Sequence, residues 1–274
     1  MLYLVATPIG NLGDLSPRAV EVLSAVDVIY CEDTRHTGLL LQHFQIQKPT
    51  RSLHTHNERE RTEEVVEALK SGKAIAYVSD AGMPGVSDPG AMLVDACYRE
   101  GLPCTVIPGA SAVLVAAVLS GLPAQPFSFF GFLPREAKPR REMLDAIAKI
   151  RHQVILYESP HRVQATLRDL LERFGDGPAA VLRELTKKFE TVERGTLSTL
   201  VERFSEEPKG ECVICFVPAE RTEADAPDLD ALLLTLLKTA SVKDAAAIAA
   251  ERLNLPKKQV YKRALELKES TQTV

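Results

Sequence analysis

The sequence predicts an α/β protein built on two sheets, a parallel N-terminal one and a mixed second one, with a small helical extension at the C-terminal end. Three observations carry that prediction. Short β-branched runs alternate with amphipathic stretches from the first residue, the alternation resets after Gly121-Leu122-Pro123, and past an acidic segment at 219–230 only helical patterns remain. At the usual ~150 residues per domain, 274 residues correspond to about two domains. A composition of 45% hydrophobic and 26% charged residues offers enough apolar surface to offset the entropy of ordering, which excludes collagen-like, mucin-like and wholly disordered classes.

In chain order, Leu2–Ala6, Asp27–Cys31, Ala74–Ser79 and Cys104–Ile107 read as strands, and Arg18–Ser24, Glu58–Leu69, Ala91–Arg99 and Ser111–Ser120 as helices. A βαβα rhythm of this kind makes a parallel sheet covered by helices, with ligands expected at the carboxyl edge. After the hinge at residue 121, Phe127–Phe132, Gln153–Tyr157, Ala179–Arg183 and Glu211–Val217 are the next strands. Helices at Arg140–Lys149, His161–Phe174 and Leu197–Phe204 separate them. Thr191–Leu197, with Gly195, suits an antiparallel hairpin, so the second sheet is expected to be mixed. The expected domains are 1–121, 122–218 and 228–274.

Leu229–Lys238, Val242–Leu253 and Lys257–Lys268 give three short helices, the last two with the form of a helix-turn-helix and Pro256 at the start of the final one. Lys257, Lys258, Lys262, Arg263 and Lys268 make that last helix basic. Contact with nucleic acid and a solvated bundle that caps the protein or a partner weigh equally for it. The whole chain carries a formal charge of −4, which excludes a basic nucleic-acid coat but not a local basic patch. With no Trp and 5% aromatics, any base-stacking platform is small.

Five cysteines, Cys31, Cys97, Cys104, Cys212 and Cys215, are too few and odd in number for a disulfide framework, so reduced thiols are expected. Cys212 and Cys215 have CxxC spacing but lie in an apolar run, where cysteine is an ordinary buried strand residue. The opening MLYLVATPIG lacks a basic leader and reads as a strand. Ala110–Gly121, the longest uncharged apolar stretch, falls far short of the ~20 residues that span a bilayer. No GxGxxG, Walker loop, HExxH or GxSxG is present, which argues against dinucleotide enzymes, P-loop NTPases, zincins and esterases.

Three loops rich in Gly, Pro and Asp stand at strand ends instead: 6–14, 79–90 and 108–112. Glycine lets backbone approach a ligand closely, and three such loops along one sheet edge indicate a ligand cleft. The segments LYLVATPIGNLGDLSPRA, CEDTRHTGLLL, SDAGMPGVSDPG, FFGFLP, YESPHR and RELTKKFET resemble the tetrapyrrole methylase family. Within it they are similar to the members that methylate a cytidine ribose of small-subunit ribosomal RNA. The resemblance covers roughly residues 2–217 and extends to the helical tail. It implies two α/β domains with S-adenosylmethionine folded into a cleft between them. By motif, the implied cofactor contacts are Pro8, Ser79, Asp80, Met83, Ser111, Ala112, Glu158 and Leu185. Met83 departs from the family pattern, where Thr is expected. Asp80 suits a ribose hydroxyl or an amino group, although a turn-capping aspartate is its plain alternative.

The implied chemistry is in-line transfer of a methyl group from sulfur to a ribose 2′-oxygen, helped by alignment in a closed cleft, a base, and a cation near the developing alkoxide. Glu32 and Asp33, directly after the second strand, and Lys187 are the catalytic candidates. Lys188 is a lesser one, and a solvated edge or phosphate contact is as good an account of one of the two lysines. Arg35, His36, His161 and Arg162 are placed in loops at the cleft mouth for RNA; a second basic loop at Arg135–Arg141 and, on the last helix, Lys257, Lys258, Lys262 and Arg263 are further RNA candidates. His54 and His56 share a strand face at metal-binding spacing, but no third ligand is near, so no metal is expected. The resemblance further implies a small-subunit ribosomal RNA or assembled 30S partner, a homodimer, and a cytoplasmic location without membrane attachment. Methylation of a small macrocycle and a non-enzymatic, nucleic-acid-binding regulator are the competing functions.

Overall fold

A computed structural model describes residues 1–219, 229–238, 240–253 and 257–271. The chain divides into two compact units, 1–218 and 219–274.

The first unit opens with β1 (Leu2–Val5), α1 (Pro17–Ala25), β2 (Val28–Cys31), α2 (Thr34–His43), β3 (Thr50–Ser52), α3 (Glu58–Lys70), β4 (Ile75–Val78), α4 (Ala91–Arg99), β5 (Cys104–Ile107) and α5 (Ala112–Leu119). These strands form one wholly parallel sheet in the order β3-β2-β4-β1-β5. Both faces are covered, as a parallel sheet requires. Along β4 the side chains alternate. Ile75 and Tyr77 face α3 and α4 through Val65, Leu69, Leu93 and Cys97, while Ala76 and Val78 face α1 and α2 through Ala19, Leu23, Leu40 and Leu41.

Helix starts follow from local capping chemistry. Pro17 opens α1, and the Ser16 hydroxyl accepts the Ala19 N–H. Asp33 ends the β2 turn and caps α2 by accepting the Arg35 N–H at 2.8 Å. Neither α2 nor β3 follows from the sequence patterning. The strand expected to hold His54 and His56 is instead a turn between β3 and α3, because β3 stops at Ser52 and the Asn57 carboxamide accepts the His54 N–H.

The second half of the unit contains β6 (Phe127–Phe132), α6 (Ala137–Ile147), β7 (Gln153–Glu158), α7 (Val163–Phe174), β8 (Pro178–Arg183), β9 (Thr191–Thr196), α8 (Leu197–Arg203) and β10 (Cys212–Phe216). Its sheet runs β6-β7-β10-β8-β9, parallel between β6 and β7 and antiparallel elsewhere. Val154 and Leu156 of β7 and Ile214 and Phe216 of β10 face α6, α7 and α8. Ile155, Val213 and Cys215 face the other way, onto Val113, Ala116 and Ala117 of α5. Helix α5 therefore belongs to the first sheet by connectivity and to the second by packing. Gln153 adds a polar tie, donating to the Ser120 hydroxyl at 2.6 Å. Cys212 and Cys215 are buried on β10, and burial raises their thiols to about 11 and about 12.

The second unit is helical: α9 (Leu229–Leu236), α10 (Val242–Leu253) and α11 (Lys257–Thr271). Leu233, Ala246, Ala249, Ala250, Val260 and Ala264 form its core. Among the described residues, no helix is long and apolar enough to cross a membrane, and no three His, Cys, Asp or Glu side chains gather as a metal site.

Candidate active site

The loops after β1, β2, β4 and β5 leave the same edge of the parallel sheet, and hydrogen bonds knit them together. Thr7 and Gly82 exchange backbone bonds at 2.9 and 3.0 Å, and the Thr7 hydroxyl donates to the Ser79 carbonyl. Gly82 sits at φ +79 with the Ile9 side chain close by, a conformation that favours glycine. Asp80 is gripped from behind: its N–H donates to Glu32 Oε1 at 3.1 Å, and its Oδ1 accepts the Asp33 N–H at 3.2 Å.

These loops and the second sheet enclose a cavity of about 420 Å³, in the range typical of small-molecule sites. Ile9, Met83, Val86, Phe132, Tyr157 and Val213 supply its apolar wall, and Ser87, Asp88, Ser111, Glu158 and Glu211 its polar groups. A register shift between Phe129 and Phe132 bends β6 at this wall. Among the described residues, two carboxylate side chains, Asp88 and Glu211, are open to the cavity, Glu158 lines it with its carboxylate buried, and no Lys or Arg lines it. Such a donor set disfavours a phosphate-bearing ligand and suits a cationic one. Burial, then the neighbouring Asp80 carboxylate, raises the Asp88 carboxyl, so a bound cation would relieve that site. Burial likewise pushes the Tyr157 hydroxyl up to about 12.

A second cavity of about 270 Å³ shares the walls Ile9, Ala81 and Glu211 with the first. Pro8, Leu12, Leu39 and Leu40 make it apolar on one side, and His36, Asp80 and Lys187 add polar groups.

Residues 1–201 match the family described as Tetrapyrrole (Corrin/Porphyrin) Methylases, and residues 223–268 match the RsmI C-terminal HTH domain. Relatives named ribosomal RNA small subunit methyltransferase I are 48% identical in Synechocystis, over 97% of this chain and 98% of that protein, and 46% identical in Vibrio cholerae, over 97% and 94%. The chain belongs to the tetrapyrrole methylase family. Within that family it stands in the ribosomal RNA small subunit methyltransferase I branch. The methylase fold extends to more distant proteins. Diphthine synthase matches at a TM-score of 0.63 and 19% identity, over 79% of this chain and 90% of that one. The methyltransferase CobJ matches at 0.61 and 18%, over 81% and 96%.

The tetrapyrrole methylase motifs distribute over both cavities. Met83, Ser111, Ala112 and Glu158 line the larger one, Pro8 and Asp80 the smaller one, and the buried Ser79 and Leu185 stand behind the walls. The Glu158 side chain is 0% exposed. Both its oxygens are engaged by protein: Oε1 accepts the Ser159 N–H at 2.8 Å, and Oε2 accepts the Thr166 hydroxyl at 2.6 Å. Arg140 donates to that same hydroxyl at 3.0 Å and to Asp169.

The expected basic loop at Arg135–Arg141 is helical from Ala137 onward; Arg135, Lys138 and Arg141 are exposed, but Arg140 has its guanidinium inside a network. Its bonds to Thr166 and Asp169 of α7 hold it there. Arg162 is similarly turned to the Leu133 and Pro134 carbonyls, and His161 pairs with Glu207. Arg35 is exposed but forked onto Asp33, which holds that carboxyl below the usual range, the side-chain bond from Arg35 coming first. In the helical unit, Lys257, Lys258 and Lys262 are exposed, whereas Arg263 pairs with Asp230 and Glu266.

Of the catalytic candidates, Lys187 alone lines a cavity. Its Nζ donates to Glu184 at 2.9 Å and Glu211 at 2.8 Å. Burial works against its charge, but these two acids outweigh it and raise the ammonium's affinity for its proton. Glu32 lines neither cavity. Burial, then the Asp88 charge, raises it to about 7 against the opposing Asp80 N–H bond.

Asp88, Phe132 and Tyr157 fall within the segments SDAGMPGVSDPG, FFGFLP and YESPHR but, like Glu211, are not among the expected site residues. Asp88 carried a signal, as a second acid in the Gly/Pro-rich loop. The others come from the second sheet, whose facing residues no local pattern reveals.

Proposed function

We propose that the protein transfers the methyl group of S-adenosylmethionine to the ribose 2′-oxygen of a cytidine in small-subunit ribosomal RNA. The observation that carries this is the joining, in one chain, of an acid-lined methylase cleft to the C-terminal domain of the branch whose members are named for small-subunit ribosomal RNA. A four-ring macrocycle gives no reason for the exposed Lys257, Lys258 and Lys262 on α11, and a purely DNA-binding regulator gives none for the cleft.

The larger cavity fits the cofactor by charge and size. When bound, S-adenosylmethionine supplies a methyl group on a positively charged sulfur, open to attack by an oxygen nucleophile. Asp88 and Glu211 offer carboxylates to the ligand's positive charge, while Met83, Val86, Phe132 and Tyr157 exclude water from it. Met83 stands where the family pattern has Thr and adds apolar contact. Glu158 holds the Ser159-Pro160 wall in place, because its own oxygens are already engaged.

Lys187 lowers the cost of negative charge on the acceptor oxygen. Glu32 and Asp33 act through Asp80, whose N–H and Oδ1 they fix, so they are positioning residues. The branch membership favours a cytoplasmic enzyme acting on ribosomal RNA or the assembled 30S subunit, and a homodimer. The hinge at residue 121 remains the proposed boundary between the two α/β domains.

Labelled methyl transfer tests the function. Undermethylated 30S subunits and naked small-subunit RNA are set beside a precorrin, with S-adenosylmethionine in each. Label is expected in RNA alone, and transfer to the precorrin with none to RNA overturns the reading.

A further inference from the structure

The geometry points to the smaller cavity as the acceptor pocket, shaped for one nucleoside swung out of the RNA, with its base against the leucines of α2 and its ribose toward Asp80 and Lys187. The inference rests on the RNA methyltransferase reading above and adds where the acceptor binds.

Size is the first support. At about 270 Å³ the cavity lies just below the roughly 300–1,000 Å³ usual for drug-sized ligands, so it holds a single nucleoside and not a tetrapyrrole. A nucleotide swung out of its stack, as enzymes acting on a base achieve, would bring one whole nucleoside into a pocket of this size. Adjacency is the second. The cavity shares Ile9, Ala81 and Glu211 with the cleft fitted to the cofactor, so two bound molecules would meet at that partition.

Chemistry supplies the third. Leu39 is 68% exposed and Leu12 41% exposed, large apolar side chains left open to solvent at the pocket. His36, Leu39 and Leu40 lie one turn apart on α2, which gives the face a polar edge beside an apolar floor. That combination suits the flat face and polar rim of a base in a protein without Trp. Across the pocket, Asp80 has one oxygen committed to the Asp33 N–H, which leaves Oδ2 for a hydroxyl. Lys187 spends two donors on Glu184 and Glu211, which leaves a third for a ribose or phosphate oxygen.

The loop that presents Lys187 is the fourth. Glu184 at φ +53 and Thr186 at φ +64 occupy the left-handed region, which a β-branched residue such as Thr rarely adopts. The Thr186 N–H donates to Glu190 Oε2 at 2.6 Å, and Lys187 closes a turn back onto the Glu184 carbonyl. Gly10 packs so tightly on this loop that a Cβ there would fall 2.3 Å from Lys187 Cγ. Strain held by this many contacts is a mark of a placed functional group.

Leu39→Trp fills the pocket from an exposed position and is assayed beside the wild-type protein. Cofactor affinity is measured by calorimetry, and methyl transfer to undermethylated 30S subunits is followed in parallel. Unchanged S-adenosylmethionine binding is expected, with kcat/KM for subunits lowered on the order of 100-fold. Leu12→Trp, from the loop after β1 instead of α2, gives the same split and guards against a folding defect in the first variant. Wild-type transfer by both variants overturns the inference, as does a joint loss of cofactor binding and transfer, which would make the pocket part of the cofactor site. Failure of the wild-type protein to methylate subunits at all would count against the function instead.

Discussion

The two cavities that meet at Ile9, Ala81 and Glu211 differ in charge more than in size. The larger presents the Asp88 and Glu211 carboxylates and, among the described residues, no Lys or Arg, whereas the smaller adds Lys187 and His36 to Asp80 and the shared Glu211. One wall set therefore favours a cation, and the other accommodates a ligand that carries hydroxyls and phosphates. The difference teaches how a single sheet edge serves two reactants: the loop after β4 faces both, with Met83, Val86 and Asp88 on one side and Asp80 on the other.

Substitutions that touch one cavity and spare the other break this comparison. The largest effect is expected from Glu158→Ala, on the wall of the larger cavity. It leaves the Thr166 hydroxyl, the Ser159 N–H and the nearby Arg162 without their buried carboxylate, at a cost of about 3–5 kcal/mol of stability in urea denaturation. Glu158→Gln keeps an acceptor and is expected to cost about 1–2 kcal/mol. Equal behaviour of the two would contradict the network.

Lys187→Met acts on the smaller cavity. A loss on the order of 100-fold in kcat/KM is expected, near 3 kcal/mol of transition-state stabilisation, with cofactor affinity retained. A variant that loses cofactor affinity instead would move Lys187 to the other ligand.

Glu32→Gln tests the support of the partition. Burial raises the Glu32 carboxyl from an unfolded value of 4.5 to about 7 in the folded protein. The folded state therefore binds the proton more tightly, so ionising Glu32 costs stability. That penalty is absent below the unfolded value and fully present above the folded one. Between pH 5 and pH 8, thermal melts of Glu32→Gln are expected to gain about 1–2 kcal/mol relative to wild type, after allowance for solvent screening. A constant difference across that range would show an ordinary carboxylate.

The smallest effect is expected outside both cavities. Removing Lys257, Lys258 and Lys262 together should leave cofactor binding intact. It should flatten the salt dependence of RNA binding by about 0.7–0.9 per lost phosphate contact in a log–log plot.

Much of the fold was legible because its signals are local. Short apolar runs such as Ile75–Val78 and capped amphipathic stretches such as Pro17–Ala25 announce themselves. β3 has only three residues, and α2 begins directly after the Cys31-Glu32-Asp33 strand end, so neither left a clear period. The loops of the site were legible through Gly, Pro and Asp at strand ends. The division into two cavities was not, because it depends on which face of β7 and β10 meets α5. Arg140 reads as a surface charge in sequence for the same reason, since Thr166 and Asp169 reach it only across the packing of α6 on α7.

The most direct test of the central claim is the alkali stability of the methylated product. Undermethylated 30S subunits are incubated with the wild-type protein and labelled S-adenosylmethionine, and the RNA is then hydrolysed in base. A methyl group on a 2′-oxygen removes the nucleophile that cleaves the adjoining phosphodiester, so the label is predicted in an alkali-stable dinucleotide headed by cytidine. Label recovered wholly in mononucleotides, as for methylation on a base, or no label in RNA at all, would contradict it.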